Sequence, residues 1–226
     1  MRGLVLHKIN GSPPARAAMM IGDILGLKIQ YKEVNILRAE HLSPEFIKKN
    51  PMHTIPLLED GDLLLADSHA IASYLVNRYG SAEHKRLYPE DLIQRAKVDE
   101  KLYFDTGVLF QRFREITFGT FTGRLSGLTA EHIQGLEDSY EILERYLEKN
   151  KYLARNELSI ADVCAGATVS SLDAVRQIDS EKYPKTHDWL NRMKRESFFE
   201  KMNAPGLADY KSTILKFWER NKKSKI

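Results

Sequence analysis

Residues 10–16 read Asn-Gly-Ser-Pro-Pro-Ala-Arg. They join a short apolar run, Leu-Val-Leu at 4–6, to a segment of helical character that ends at Leu25. Gly11 lets the backbone turn sharply. Ser12 stands where an N-cap residue belongs, and the prolines after it are favoured in a first helical turn. The stretch therefore predicts a strand, a tight turn and a helix.

The start of this helix is also a candidate anion site. Its free N–H groups and the helix dipole favour negative charge, and the hydroxyl of Ser12 could add a hydrogen bond to a bound anion. The plainer interpretation is that Ser12 only caps the helix. Residues 10–16 alone leave both interpretations open.

Size and composition fit a globular protein of one large or two modest domains. The chain has 226 residues, of which 42% are hydrophobic and 29% charged. A formal net charge of only +3 does not favour binding to nucleic acid. Without an apolar run of about 18 residues, no membrane span is expected.

The single cysteine, Cys164, rules out an intramolecular disulfide and a structural zinc site built on several cysteines. It fits a reducing compartment, and the N-terminus lacks the long apolar region of a signal peptide. We therefore expect a cytoplasmic protein without a metal site.

The first eighty residues alternate between strand and helix patterns. Strands are predicted at 4–6, 29–36, 54–59 and 63–65, and helices at 15–25, from 43 and at 68–79. Asp60-Gly61 is a hairpin turn signal. The order is β-α-β-α-β-β-α, in which the first two strands should be parallel and the last two antiparallel.

No convincing strand follows the polar stretch that ends at Pro89. Helices are predicted at 91 to about 121, from Thr129, after Ser159 and at 184–195. The tail, 210–218, leads into a Lys/Arg-rich run that we interpret as a solvated terminus. Ser159-Ile160-Ala161-Asp162 resembles a capping box. We predict an α/β domain at 1–82, a linker at 83–89 and an all-helical domain at 90–226.

Two further stretches in the first domain could bind a ligand. Pro56 opens a strand where thioredoxin-like folds place a cis-proline, which exposes the backbone of the preceding residue to an extended peptide. Asp67 and Ser68 begin another helix and could hold an ammonium group and a carboxylate. His41 and His53 could reach a second carboxylate. A small peptide with carboxylates at both ends and a thiol between them would use all of these groups.

These motifs, taken in order, resemble the cytosolic glutathione transferases of the insect delta and epsilon classes. The similar stretches are Ser-Pro-Pro-x-Arg-Ala (12–17), Glu-His-Leu-x-Pro-Glu-Phe (40–46), Asn-Pro-x-His-Thr-Ile-Pro (50–56), Asp-Ser-His-Ala-Ile (67–71) and Ser-Ile-Ala-Asp (159–162). Leu-Tyr-Phe-Asp-Thr-Gly-Val-Leu-Phe at 102–110 is most similar to the epsilon class. The resemblance covers nearly the whole chain and implies a thioredoxin-like domain followed by an all-α domain.

The resemblance implies that Ser12 is the catalytic hydroxyl, which stabilises the thiolate of glutathione. It assigns the remaining glutathione contacts to His41, His53, Thr54, Ile55, Pro56, Asp67, Ser68, His69 and Arg114. His69 has an alternative position facing the second subunit of an expected homodimer. Met52 replaces a frequent Gln, and Asp67 replaces a common Glu while keeping its charge.

The hydrophobic acceptor site is expected on the long helix and near the C-terminus. Phe110, Phe113, Arg114, Thr117 and Phe121 share one helix face, although a core stripe would show the same spacing. The resemblance implies an acceptor site formed by Pro14, Ile36, Leu37, Phe110, Phe113, Thr117, Phe118, Phe121, Leu207 and Tyr210. Phe118 stands where some relatives carry Glu, which would make the site more apolar.

The implied activity is conjugation of glutathione, as co-substrate, to small hydrophobic electrophiles in detoxification. One alternative is glutathione-dependent elimination of HCl, isomerisation or peroxide reduction at the same site. Another is a non-catalytic protein that binds lipophiles. Thiol–disulfide exchange is disfavoured because position 12 is Ser and Cys164 belongs to the other domain.

Overall fold

The computed structural model describes residues 3–224, so residues 1–2 and 225–226, the outer ends of the two predicted domains, lie outside the described residues. The first part of the chain has the predicted order of elements. They are β1 (Leu4–Lys8), α1 (Pro13–Ile24), β2 (Ile29–Glu33), α2 (Pro44–Lys49), β3 (Leu57–Asp60), β4 (Leu63–Ala66) and α3 (Ser68–Tyr79).

The four strands form one mixed sheet in the order β2-β1-β3-β4. β1 and β2 are parallel, with Leu4 opposite Ile29. β3 is antiparallel to both β1 and β4. The predicted parallel pair and antiparallel hairpin are thereby confirmed. The carboxyl end of β1 and the amino end of β3 meet at one edge of the sheet, which brings residue 12 close to residue 56.

Two predicted strands are too long. β2 ends at Glu33 rather than at residue 36, because the side chain of Asn35 caps a 3-10 helix and accepts a hydrogen bond from the Arg38 N–H at 3.1 Å. β3 begins at Leu57 rather than at residue 54. The preceding Pro56 has no N–H to donate to a neighbouring strand.

In the second part of the chain, all secondary-structure elements among the described residues are helices. Its α-helices are α4 (Leu92–Phe104), α5 (Phe110–Phe121), α6 (Ala130–Tyr146), α7 (Ile160–Val175), α8 (Pro184–Lys194) and α9 (Ala204–Lys223). The predicted single helix at 91–121 is divided by a π-helical segment, Asp105–Leu109. The tail that was predicted to end as a solvated terminus is helical as far as Lys223 and belongs to α9. No helix within residues 3–224 is long and apolar enough to cross a membrane.

A short 3-10 helix, His84–Leu87, occupies the predicted linker between α3 and α4. The division of the chain at 82 and 90 stays a prediction.

The predicted capping box at the start of α7 is present and extends into the core. The Asp162 carboxylate is fully buried and accepts hydrogen bonds from the N–H of Ser159 at 3.0 Å and of Leu153 at 2.8 Å. It also accepts from the Ser159 hydroxyl at 2.7 Å and from the Trp189 indole at 3.1 Å. Burial raises the pKa of Asp162. One carboxylate therefore joins α7, α8 and the loop before them.

Helix α1 packs against α7 and joins the sheet to the helical part. Arg16, on α1, is completely buried. Its guanidinium donates to the Asn203 side chain at 2.6 Å and to the Ser171 hydroxyl at 2.5 Å. The helix that begins at Ser12 is thus held by neutral hydrogen-bond partners from the second part of the chain.

Candidate active site between the sheet and helices α5 and α9

A cavity of about 960 Å³ lies between the edge of the sheet and the helical part. One half is polar and is formed by the loops after β1, before β3 and before α3. The other half is mainly aromatic and is formed by α5 and α9. A ligand that fills the cavity would meet hydrogen-bonding groups at one end and apolar rings at the other.

Ser12 lies in the wall of this cavity at the N-terminus of α1. Its side-chain oxygen accepts a hydrogen bond from the Ala15 N–H, at a long 3.4 Å. Among the described residues, no acceptor takes the proton of the Ser12 hydroxyl. The two interpretations of Ser12 are therefore compatible, because it caps α1 through its oxygen and can donate its proton to a ligand.

Two histidines face each other at one end of the polar half. The ring centroids of His41 and His53 are 6.3 Å apart, and both residues line the cavity. Burial lowers the pKa of His41, and neighbouring His53 lowers it further. The Nδ1 of His41 is buried without a hydrogen-bond partner. A ligand carboxylate could accept a hydrogen bond from this pair.

The Ile55–Pro56 peptide bond is cis, as the sequence predicts, and both residues line the cavity. The loop before it is braced by Asn50, whose amide donates to the Thr54 carbonyl at 2.8 Å. His53 has a φ of 45°, a left-handed conformation that is uncommon for a residue with a side chain. This loop presents backbone groups to a ligand beside Ser12.

Asp67 and Ser68 form the third polar wall. Asp67 is the N-cap of α3, and its carboxylate accepts from the N–H groups of His69 at 2.8 Å and Ala70 at 3.1 Å. Its φ of 73° turns the chain into the cavity. Ser68 is the first residue of α3 and also lines the cavity. A carboxylate and a helix N-terminus therefore lie next to each other. Together they could bind the ammonium group and the carboxylate at a zwitterionic end of a ligand.

His69 contacts the helical part of its own chain. Its Nε2 lies 2.9 Å from Asp105 Oδ2, and its Nδ1 lies 2.9 Å from the Thr106 hydroxyl. Burial by itself lowers the pKa of His69, but the hydrogen bond and the negative charge of the Asp105 carboxylate more than offset this and raise it above its usual value. His69 also lines the cavity, so its ring connects α3 to the π-helical segment behind the ligand site.

The aromatic half contains a row of rings. Phe110 stacks on Phe113 at 5.7 Å between centroids, and Phe113 contacts the ring of Tyr210 at 5.1 Å. Thr117 lies one turn further along α5, with its hydroxyl 3.2 Å from that of Tyr210. The other predicted acceptor residues that line the cavity are Pro14, Ile36, Leu37 and Phe121, and Arg114 lies at its exposed edge.

Two predicted acceptor residues, Phe118 and Leu207, do not line this cavity, and their part in binding an acceptor stays a prediction. Phe118 is 58% exposed and lines an outer groove with Arg124, whose guanidinium lies 5.1 Å from the ring. One residue advances an α-helix by about 100°, which turns Phe118 away from the face that carries Thr117. Leu207 is half-buried and does not line the cavity, and its neighbour Gly206 is the α9 residue that packs against Asn10 and Arg16.

Sequence reasoning missed some of the cavity wall. Asp105 and Thr106 line it through the π-helical segment, and Cys164 and Thr168 line it from α7. Burial raises the pKa of the Cys164 thiol, so this cysteine is a protonated core residue that also reaches the cavity. Asp105 stands within the quoted 102–110 motif, which was the one available signal. No group of three or more metal-binding side chains occurs within residues 3–224.

The order of the elements and the shared cavity define a class of protein. The first part of the chain has the order β-α-β-α-β-β-α and a cis-proline before β3, which defines a thioredoxin-like domain. The part after it is helical and shares a cavity with the first. The chain is therefore a thioredoxin-like domain with a helical C-terminal domain.

Comparison with known proteins then identifies the family. Residues 6–83 match the model of the glutathione S-transferase N-terminal domain, and residues 124–196 match that of the C-terminal domain. The chain is 40% identical over 205 residues to glutathione S-transferase 1 of Manduca sexta, a match covering 90% of this chain and 93% of the relative. The chain therefore belongs to the glutathione S-transferase family.

Solved structures agree with this result. An epsilon-class glutathione S-transferase from the housefly Musca domestica superposes with a TM-score of 0.91 at 41% identity, covering 95% of this chain and 98% of the other. A glutathione transferase homologue of Drosophila mojavensis, solved with bound glutathione, gives 0.90 at 38% identity and covers 95% and 97%. The fold and its likeness to the epsilon class, both predicted from the sequence, are confirmed.

Proposed function

We propose that this chain is a serine-type glutathione transferase that conjugates the thiolate of glutathione to small hydrophobic electrophiles. One observation carries the proposal. Ser12 stands at the N-terminus of α1 in the cavity wall with an unused hydroxyl proton. A free thiol has a pKa of about 8.5, and a hydrogen-bond donor at a helix N-terminus lowers it.

The polar half of the cavity fits glutathione along its length. Ile55 offers its backbone N–H and C=O to the cysteinyl residue beside Ser12. His41 and His53 lie where they would hold the glycyl carboxylate. Asp67 and Ser68 would hold the ammonium and carboxylate of the γ-glutamyl end, and they are supported from behind by His69. Thr54 and Pro56 complete the wall, and Arg114 at the cavity edge would contact the ligand from α5.

The reaction then needs little from the protein beyond charge stabilisation and proximity. The Ser12 hydroxyl donates to the sulfur, and the α1 N–H groups add their dipole. The rings of Phe110, Phe113 and Tyr210 hold the electrophile in the aromatic half next to the sulfur. Holding both reactants in one cavity lowers the activation free energy, because the bimolecular encounter becomes an effectively unimolecular step.

The same proposal includes a homodimer in the cytoplasm. Leu92 and Ile93 at the start of α4 and Tyr103 near its end are 69% to 77% exposed, unusual for large apolar side chains. A second copy of the chain would cover such a surface. Sedimentation at micromolar concentration tests this part independently of activity.

The deciding experiment compares wild type with Ser12→Ala. A chloronitrobenzene, a peroxide, a chlorinated insecticide and an unsaturated aldehyde serve as acceptors, and calorimetry measures glutathione binding. We expect the variant to bind glutathione and to lose about 100-fold in conjugation rate at pH 7, the range for removal of one donor to a developing or stable anion.

Ser73→Ala is the matched control, because this serine also lies near a helix start but bonds the carbonyls of His69 and Ala70 and lies outside the cavity wall. Full activity of Ser12→Ala would contradict the assigned hydroxyl. Tight binding of lipophiles without turnover of any acceptor would favour the non-catalytic alternative. Turnover of only the peroxide or the insecticide would favour reduction or elimination at the same site.

A further inference from the structure

Arg16 carries a positive charge into the protein interior, one helical turn after Ser12. Its backbone N–H donates to the Ser12 carbonyl at 3.0 Å, and its side chain is completely buried. Burial lowers the pKa of Arg16 to about 9, so the guanidinium stays charged at neutral pH. The proposed contacts with glutathione leave this charge without a role, although Arg16 belongs to the motif at 12–17.

The guanidinium is hydrogen-bonded but is not paired with a negative charge. It donates to the Asn203 side chain at 2.6 Å, to the Ser171 hydroxyl at 2.5 Å and to the Asn203 carbonyl at 3.4 Å. Its Nε is buried without a partner. None of its hydrogen-bond partners within residues 3–224 is a carboxylate, whereas buried charges are usually paired. The positive charge of Arg16 is therefore not cancelled where it lies.

This charge lies behind the part of the cavity wall that carries Ser12. A β-carbon placed on Gly206 would lie 2.8 Å from Arg16 Cδ and 2.2 Å from the carbonyl oxygen of Asn10, a residue of that wall. Tyr210, which also lines the cavity, responds to the charge. Burial raises the pKa of Tyr210, and the charge of Arg16 acts in the opposite direction. An anion beside Ser12 would meet the same positive potential.

The other charged or titratable groups on the elements around α1 are paired, exposed or neutral. The pairs are Lys8 with Glu33, Lys201 with Asp23, Lys194 with Asp173 and His69 with Asp105. Asp67 and Asp209 are exposed acids at the cavity, where water screens their charge. Burial raises the pKa of Cys164 and of Tyr210, so both stay protonated at neutral pH. Among these groups, Arg16 is the buried cation without an acidic partner.

We propose that the buried charge of Arg16 stabilises the thiolate of glutathione at Ser12, in addition to the Ser12 hydroxyl and the N-terminus of α1. Arg16 does not touch the ligand, so it is a positioning residue rather than a catalytic one. It acts through the electrostatic potential at the cavity wall, and the low polarity of the interior keeps this potential strong. The inference rests on the proposed conjugating function and adds a residue to it.

The test measures how readily the thiol of bound glutathione ionises. The ultraviolet absorbance of the thiolate is recorded across a pH series at saturating glutathione. We expect Arg16→Met, which removes the charge, to lower the acid dissociation constant of the bound thiol about tenfold. Asn203→Asp keeps Arg16 and places a carboxylate beside the guanidinium, and it should lower the constant severalfold.

Two controls separate the charge from structural effects. Ser171→Ala removes a hydrogen bond of the guanidinium but keeps its charge. Lys201→Met changes the net charge by the same amount as Arg16→Met, but Lys201 is exposed, paired with Asp23 and outside the cavity wall. The constant should equal that of wild type in both controls.

An unchanged constant in Asn203→Asp would overturn the inference whatever Arg16→Met shows, because a charge at this place would then not reach the sulfur. This variant also decides the matter if Arg16→Met does not fold by circular dichroism. A fall in Ser171→Ala or Lys201→Met as large as that in Asn203→Asp would overturn the inference too. All these results leave the proposed conjugation intact if wild type acidifies the bound thiol. A bound thiol in wild type that is no more acidic than free glutathione would overturn both proposals.

Discussion

Asp105 Oδ2 lies 2.9 Å from His69 Nε2 and joins the helical part of the chain to the first turn of α3. Asp105 is 3% exposed, and its other carboxylate oxygen has no hydrogen-bond partner. The pair forms the floor of the polar half of the cavity, directly behind Asp67 and Ser68. The position of the wall that we propose to bind glutathione therefore depends on a residue 36 positions from His69 in the sequence.

We predict that Asp105→Asn destabilises the protein by about 2 kcal/mol near pH 6, the cost of breaking a buried hydrogen bond to a charged group. The folded-state pKa of His69 lies above its unfolded value of 6.5. The stability from this pair is therefore complete below pH 6.5 and decreases as the pH rises above it. Urea unfolding at pH 6 and pH 9 measures the loss, which should be smaller at pH 9.

The exposed pair formed by Asp188 and His187, 3.8 Å apart, is the control. Asp188→Asn should change the free energy of unfolding by less than about 0.5 kcal/mol. A loss in Asp105→Asn that is equal at both pH values would show that the charge of His69 does not contribute. We also expect a higher KM for glutathione in Asp105→Asn, since the Asp67 turn rests on His69.

Asp162→Ala should have a larger effect on stability than any single surface change. It leaves the N–H groups of Leu153, Ser159 and Trp189 buried without their acceptor. We expect a loss of about 3 kcal/mol or more by chemical denaturation. Ser159→Ala removes only one donor to the same carboxylate and should cost about 1 kcal/mol. Equal losses in the two variants would contradict the role of Asp162 as the shared acceptor.

Glu59 should make folding stability depend on pH in the acid range. A hydrogen bond from Lys49, together with one from His7, lowers the pKa of Glu59 from 4.5 to about 2. A carboxyl group with a lowered folded-state pKa contributes stability above pH 4.5, and this stability is lost as the pH falls toward 2. Glu59→Gln should therefore melt below wild type at pH 6 and converge with it near pH 2.

Exposed Glu148 provides the comparison for this measurement. The melting temperature of Glu148→Gln should stay close to that of wild type at both pH 6 and pH 2. If Glu59→Gln still melts below wild type by the same amount at pH 2, the ion pair with Lys49 does not stabilise the fold.

Gly206→Ala should separate α9 from the loop that carries Ser12. A β-carbon at position 206 would lie 2.2 Å from the Asn10 carbonyl oxygen and 2.8 Å from Arg16 Cδ. Such overpacking costs about 1 to 3 kcal/mol, and we expect kcat/KM to fall because the loop must move. Gly107→Ala is the control, since nothing lies within 4 Å of its β-carbon position. Unchanged activity in Gly206→Ala would show that the Ser12 loop tolerates this shift.

Signals that act over a few residues were sufficient for much of the fold. Ser12 and Asp162 were identified as helix-start residues because a capping bond spans about three residues, and these bonds are present. Asp60-Gly61 marked the hairpin, and Pro56 marked the cis bond. Element boundaries were less accurate. The π-helical segment at Asp105–Leu109 has the same local apolar spacing as an ordinary helix, so no pattern within 91–121 revealed it.

In the candidate site, too, some features follow from local sequence and others from tertiary packing. The sequence by itself determined which residue types stand at the starts of α1, α3 and β3, and thus that a thiol peptide would suit them. Only the tertiary structure decided that Phe118 is exposed outside the cavity, that His69 contacts Asp105 and that the Tyr210 hydroxyl lies beside that of Thr117. These contacts join residues far apart in the chain, and their geometry follows from how α3, α5 and α9 pack rather than from any local preference.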